Sequence, residues 1–272
     1  GRNNLYLRTI FYNMRSTREI LITNDDGIDA EGIHVLAGIM AGYGNVTVVA
    51  PLHPQSGKSA ALSMDTPLYL KQVKDEPGLR EYTFNGTPVD CVKIGINECF
   101  PKGELPDIVV SGINHGANCS VASLYSGTLG ACIEGTVYEI PSIGFSLCTH
   151  KPHPDFSPVL RYAGTIIEKF LEFPPDKDTY LNVNFPAIPA DEILGIRMAR
   201  RGRGRWVEEF DTHYDENGGK YFMMAGHFEN HEKEGSDGDH WLVYHKYITV
   251  VPHRVDTTDY AEMERLGRAW NL

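Results

Sequence analysis

Residues 19–23 read Glu-Ile-Leu-Ile-Thr, a short apolar run with no polar alternation. That pattern belongs to a strand buried on both faces, as in a parallel sheet covered by helices. Ile33, Leu36, Ala37 and Met40 then recur at helical spacing, and Gly42 and Gly44 close the helix. Residues 46–50 form a second buried strand, stopped by Pro51. This is strand–helix–strand, and its crossover is right-handed. The pattern returns downstream. Residues 107–111 read as a strand followed by a Gly/Asn-rich loop, 128–139 as a helix, 143–146 as a strand, 159–170 as a helix, and 181–185 as a strand ended by Pro186. Such alternation predicts an α/β fold with a Rossmann-like, mostly parallel sheet flanked by helices.

The texture divides the chain in three. Residues 1–18 read as a lead-in to the first strand or a remnant of processing, with Met14 a plausible alternative start. Residues 19–195 form the α/β core. Residues 196–272 form an extension in which 200–245 are polar and rich in Gly, Asp, Glu and His. Within it, 241–244 and 247–251 are β-like and are expected to pair as antiparallel strands, with a last helix over 259–270. Residues 200–252 show no independent core, so they are expected to pack on the core and on a second subunit.

Composition narrows the function. A chain of 272 residues buries a sizeable core without disulfides or a structural metal. No run of 18 apolar residues is present, which excludes an apolar transmembrane helix. The 25 basic and 36 acidic residues leave a net charge of −11, which argues against a nucleic-acid polymer or an anionic membrane as partner. Five cysteines, an odd number without a CxxC pair, fit a reducing compartment, and the cytoplasm is the expected location.

In open parallel sheets, ligands bind beyond the carboxyl ends of the strands. The first strand runs into Asp25-Asp26, the second into Gln55-Ser56-Gly57, and the strand at 107–111 into Gly112-Ile113-Asn114. Two carboxylates, a hydroxyl and an amide oxygen thus reach one edge. All are hard oxygen donors of the kind Mg²⁺, Mn²⁺ or Ca²⁺ prefers, and a cation relieves the repulsion of adjacent carboxylates. An isolated Asp-Asp-Gly is also an ordinary turn; the shared placement of the four residues is what favours a metal site. A second feature is Tyr125-Ser126-Gly127-Thr128, which opens a helix rich in small residues. Its free N–H groups and dipole suit an anion, though Ser126 alone reads equally well as a cap. The turn lacks the P-loop ending, and the first strand–helix turn lacks GxGxxG, which argues against a nicotinamide cofactor. His227, His231, His240 and His245 read as a solvated loop, and the Arg run 200–205 as a solvated or interface patch.

Ile-Leu-Ile-Thr-Asn-Asp-Asp-Gly-Ile (20–28), Val-Val-Ala-Pro (48–51), Gln-Ser-Gly (55–57), Gly-Thr-Pro-Val-Asp-Cys-Val (86–92), Pro-Asp-Ile-Val-Val-Ser-Gly-Ile-Asn (106–114), Tyr-Ser-Gly-Thr (125–128) and Leu-Asn-Val-Asn-Phe-Pro (181–186) together resemble the SurE family, the stationary-phase survival nucleotidases. The resemblance runs in register over about 19–187 and more weakly to Pro252. It implies a metal-dependent phosphomonoesterase acting on nucleoside monophosphates, with some members taking 3′-nucleotides or short polyphosphate. It implies one divalent cation per subunit, Mg²⁺ or Mn²⁺, held by Asp25, Asp26, Ser56 and Asn114, and a homodimer or homotetramer that exchanges C-terminal segments. On this resemblance Asp25 or Asp26 is expected to serve as general base or nucleophile, and Gly57, Asn118, Ser126, Gly127 and Thr128 to hold the phosphate. The sequence departs from the family pattern at His115, commonly Arg, and at Cys119-Ser120, commonly Leu-Gly; both bear on base preference and phosphate affinity. Two other readings of the same residues are an aspartyl-phosphate-forming phosphatase of another α/β family, whose Asp pair is spaced DxD, and a non-catalytic nucleotide-binding module.

Overall fold

The computed structural model describes residues 17–272. The expected lead-in, Met14 included, therefore lies almost wholly outside the described residues. The core begins with β1 (Arg18–Thr23), α1 (Glu31–Met40) and β2 (Gly44–Pro51), the strand–helix–strand unit expected from the apolar spacing. A hairpin of β3 (Leu70–Glu76) and β4 (Leu79–Phe84) follows, then α2 (Pro88–Glu98), β5 (Ile108–His115), a 3-10 turn over Ser120–Leu124, α3 (Gly127–Val137), β6 (Ser142–Cys148), α4 (Ser157–Glu172) and β7 (Thr179–Pro186). The remainder is β8 (Gly195–Met198), β9 (Gly204–Val207), β10 (Phe210–Tyr214), β11 (Lys220–Met224), β12 (His227–Asn230), α5 (Asp239–Tyr244), β13 (Tyr247–Arg254) and α6 (Tyr260–Trp270).

Nine strands form one sheet in the order β3-β4-β2-β1-β5-β6-β7-β13-β8. From β4 to β7 every neighbour is parallel; β3 pairs antiparallel with β4, and β13 antiparallel with β7. Successive residues of the central strands face opposite layers. Ile20 and Ile22 pack with Ile33, Leu36 and Met40 of α1 and Val159, Ile166 and Phe170 of α4. Leu21 packs with Cys91, Val92 and Ile96 of α2 and Ala131 of α3. Helices on both faces explain why these strands are apolar without alternation. Chain order reverses between β1 and β5, since β2 lies on one side of β1 and β5 on the other, and such a switch point opens a crevice at the strand ends.

The extension differs from expectation at one element. Residues 241–244 are helical, within α5, and do not pair with 247–251. Trp, Val and Tyr favour strands in isolation, but tertiary contacts override that preference. Asp239 at the head of α5 is fully buried and accepts the N–H groups of Ser120, Gly202 and His240. Leu242 and Val243 are buried as well. β13 joins the main sheet instead, with β7 on one side and β8 on the other. The sheet thus continues past residue 195. Beyond it, β10–β11 and β12–β9 form two small antiparallel pairs, and all ten residues of β10 and β11 are exposed. No helix among the described residues is long and apolar enough to cross a membrane.

Candidate active site at the β1–β5 crevice

Asp25 and Asp26 follow β1 at the switch point. The Asn24 side chain shapes their turn, its amide donating to the Gly27 carbonyl at 2.8 Å and its oxygen accepting the Gly27 N–H at 3.1 Å. Asp25 is buried. The N-terminus of α3 meets it: Thr128 Oγ1 donates to Asp25 Oδ1 at 2.7 Å, and a Cβ on Gly127 would lie 2.8 Å from Asp25 Cβ and 3.1 Å from Oδ2. Glycine at 127 is what lets the helix approach the carboxylate this closely. Asp26 Oδ2 accepts the backbone N–H of His115 at 2.9 Å, which ties β1 to β5. Burial, and next the Asp26 charge, raise the Asp25 pKa from 3.8 to about 6, against the Thr128 hydrogen bond. Burial raises that of Asp26 as well, opposed by the N–H of His115 and by its side chain.

Asn114 stands at the end of β5, past a register shift that sets it opposite Ser146 of β6. Its amide nitrogen donates to the Gly116 carbonyl at 2.9 Å, leaving the amide oxygen as an acceptor. Ser56 and Gly57 occupy an exposed loop. That loop is fastened to the site, because Gln55 N–H donates to the Asp25 carbonyl at 2.7 Å and Ser59 N–H to the Tyr125 carbonyl at 3.0 Å. Gly130 admits it: a Cβ there would stand 2.1 Å from the Ser59 carbonyl oxygen. The Ser56 hydroxyl forms no hydrogen bond with the described residues.

Among the described residues, no three His, Cys, Asp or Glu side chains gather in a metal-binding cluster. The oxygen set fits a divalent cation nevertheless. The two mutually repelling, desolvated carboxylates and the amide oxygen at the end of β5 are hard donors, and the Ser56 loop is tied to them through the Gln55 N–H on the Asp25 carbonyl.

The residues expected to bind the anion divide by their commitments. Ser126 Oγ caps α3 by accepting the Leu129 N–H at 3.2 Å, while its own proton stays free to donate. Thr128 gives its hydroxyl proton to Asp25, so it orients that carboxylate. Asn118 is buried; its backbone N–H and one side-chain N–H are taken by Asn184 and Ser146. The sequence reading did not single out Asn182, Asn184 or Asp239 as parts of the site, yet they hold the segment that carries Asn118. The two polar residues of Leu-Asn-Val-Asn-Phe-Pro, alternating inside a strand buried on both faces, were the available signal.

Fold and crevice define a doubly wound α/β protein whose acidic site sits at the topological switch point. The model of the family described as "Survival protein SurE" matches residues 20–208. The chain belongs to the SurE family. It is 42% identical over 253 residues to the 5′-nucleotidase SurE of Phocaeicola vulgatus, covering 93% of this chain and 96% of that protein. With the 5′-nucleotidase SurE of Cytophaga hutchinsonii the identity is 43% over 253 residues, covering 93% and 97%. The crystal structure of SurE from Aquifex aeolicus superposes with a TM-score of 0.78 at 33% identity, covering 92% of this chain and 98% of that one.

Proposed function

We propose that this protein is a divalent-cation-dependent 5′-nucleotidase that hydrolyses nucleoside monophosphates to nucleoside and phosphate. The observation that carries the reading is the convergence of Asp25, Asp26 and Asn114 with the N-terminus of α3 at one crevice. The full-length likeness to proteins named 5′-nucleotidase SurE supports it.

Asp25, Asp26, Ser56 and Asn114 hold the cation, Mg²⁺ or Mn²⁺. When bound, the cation supplies Lewis acidity and neutralises phosphoryl charge. The residues of the chain do the rest. One carboxylate of the Asp25–Asp26 pair takes a proton from the attacking water as its oxygen bonds to phosphorus. The ester bond to the nucleoside oxygen breaks, and that oxygen recovers a proton. Thr128 fixes Asp25 and the His115 N–H fixes Asp26, so both present set oxygens. The Ser126 hydroxyl and the free N–H groups at the head of α3, with Gly57 and Asn118, receive the non-bridging oxygens and stabilise charge that grows in the transition state. The reading extends to 3′-nucleotides and short polyphosphate as further substrates of the same crevice.

Phosphate release from a panel of 5′- and 3′-nucleoside monophosphates, with Mn²⁺, Mg²⁺ or chelator, tests this. Release from the 5′-nucleotides that vanishes with chelator and returns with cation is expected. No release from any nucleotide, or undiminished release in chelator, overturns it.

The extension supports assembly as a homodimer or homotetramer. An isolated two-stranded hairpin is marginal in water, yet β10–β11 exposes Phe210, Tyr214, Phe222, Met223 and Met224, and α6 has no buried residue. A second copy of the chain covers these faces. Light scattering at micromolar concentration should return at least twice the monomer mass, and a fully active monomer sinks the assignment. With all five cysteines unpaired, the cytoplasm is the compartment we assign.

A further inference from the structure

We infer that Asn182 and Asn184 of β7 are positioning residues that clamp the Asn118 peptide and so set the anion-binding geometry of the crevice. The inference rests on the nucleotidase reading and deepens it. Asn118 lies beyond β5 in a loop whose backbone belongs to no strand ladder. Its peptide groups are paired nonetheless: its N–H donates to Asn184 Oδ1 at 2.9 Å, and its carbonyl accepts from Asn182 Nδ2 at 2.8 Å. Two side chains from alternate positions of one strand thus imitate the hydrogen bonding of a neighbouring strand. Asn184 Nδ2 donates to Asn182 Oδ1 at 2.9 Å and closes the circuit. Neither amide can flip without breaking two bonds, so each oxygen and nitrogen has one assignment.

The clamp is tied to the cation ligands. Asn114, Ser146 and Asn184 are register partners on β5, β6 and β7, in one row across the sheet. The Asn118 side chain joins this row by donating from Nδ2 to Ser146 Oγ at 2.9 Å. One Nδ2 hydrogen is left for a phosphoryl oxygen. A second brace holds the same segment from the extension, where Asp239 accepts the Ser120 N–H at 3.0 Å and Ser120 Oγ donates to the Gly202 carbonyl at 2.9 Å. Both asparagines are fully buried in a strand that otherwise favours apolar residues. Packing alone does not ask for two amides there, whereas holding a loop peptide does.

The chemistry gives an asymmetric test. Asn184→Asp keeps an oxygen for the Asn118 N–H, although it gives up the donor to Asn182 Oδ1. Asn182→Asp removes the donor and sets a carboxylate against the Asn118 carbonyl. Each buries a new carboxylate on the same strand and breaks one amide hydrogen bond of the circuit, Asn184 Nδ2 to Asn182 Oδ1 in the first and Asn182 Nδ2 to the Asn118 carbonyl in the second, so a merely structural role predicts comparable losses. Positioning makes them unequal: kcat/KM for a 5′-nucleotide should fall less than about tenfold for Asn184→Asp and about a hundredfold for Asn182→Asp, the scale of an ångström-sized misplacement. Asn184→Leu, which removes the acceptor, should resemble Asn182→Asp. The dissociation constant of inorganic phosphate on the Mn²⁺-loaded protein should rise in the same order, with Mn²⁺ affinity unchanged. Thr249→Val is the control. Thr249 is the register partner of Asn184 on β13, its hydroxyl is buried with no partner among the described residues, and its kinetics should be wild-type.

Equal losses in the two Asp variants, or wild-type kinetics and phosphate affinity in Asn184→Leu, overturn the clamp. If Asn184→Leu fails to fold, the Asp pair still decides. A wild-type protein that binds phosphate but hydrolyses no nucleotide defeats the nucleotidase reading alone, because the phosphate affinities still test the clamp. A wild-type protein that binds no phosphate defeats the clamp as an anion-positioning device.

Discussion

Asp25→Asn is expected to lose at least about a hundredfold in rate and, without metal, to melt at a higher temperature than the wild type at pH 8. The rate loss is the scale of a missing general base or principal electrostatic group. The stability gain comes from the same carboxylate. Asp25 is buried beside Asp26, and its pKa is raised from 3.8 to about 6. The folded state therefore holds this proton more tightly than the unfolded chain does. Below pH 4 both states are protonated and nothing is lost. Between about pH 4 and 6 the unfolded chain ionises first, so stability falls as pH rises through that window. Above about pH 6 the full penalty stands, at most about 3 kcal/mol. Asparagine has no proton to lose, and its amide oxygen still accepts from Thr128 Oγ1.

The advantage of Asp25→Asn should therefore be absent near pH 4 and full by pH 8. Saturating Mn²⁺ should reverse it, because binding to the folded state alone stabilises the wild type by mass action and the variant has lost an anionic ligand. Melting curves at both pH values, with Mn²⁺ and with chelator, check both halves. Undiminished activity of the variant in chelator, or a lower metal-free melting temperature at pH 8, sinks the role given to Asp25.

The strands that carry Asp25 and Asn114 are apolar on both faces, so periodicity alone locates them and their carboxyl ends. Residues 70–98 are another matter. β3 is an edge strand with no buried residue, and it lacks the apolar signal that marks the strands beside it. α2 begins with a capping box in which Thr87 and Asp90 exchange hydrogen bonds. That is a polar signal, and apolar spacing does not register it. The helical state of 241–244 depends on Asp239 reaching Ser120, which is 119 positions earlier in the chain. No local window contains both partners. Within the proposed site, the positions of Asp25, Asp26 and Asn114 at strand ends are legible because apolar runs mark those ends. The groups that aim the site's side chains are not, because the Asn182–Asn118 and Thr128–Asp25 bonds span 64 and 103 positions.

Gly127→Ala is the second large effect. An added Cβ at 127 would lie 2.8 Å from Asp25 Cβ, 3.1 Å from Asp25 Oδ2 and 3.2 Å from Pro88 Cγ. These neighbours belong to the turn after β1 and the first residue of α2, so no single flexible side chain can yield. Either Asp25 moves or α3 retreats, and in both cases the 2.7 Å bond from Thr128 lengthens. Overpacking of this kind costs about 1–3 kcal/mol, partly offset by the better helix propensity of alanine. The net loss of stability should therefore stay within about 2 kcal/mol. The rate should fall about a hundredfold, as expected when a reacting group is misplaced by roughly an ångström. Gly38→Ala calibrates the comparison: Gly38 lies in α1 with no atom within 4 Å of an added Cβ, so that variant should gain up to about 1 kcal/mol at unchanged activity. Ser126→Ala separates cap from anion donor. Loss of the Leu129 N–H acceptor should cost about 1 kcal/mol of stability, and any loss of rate beyond that reports the hydroxyl proton that the cap does not use. Wild-type turnover in Gly127→Ala, with the melting temperature preserved, would show that α3 does not fix Asp25 for the reaction. The proton-transfer role would then pass to Asp26, which His115 holds from the other side of the crevice.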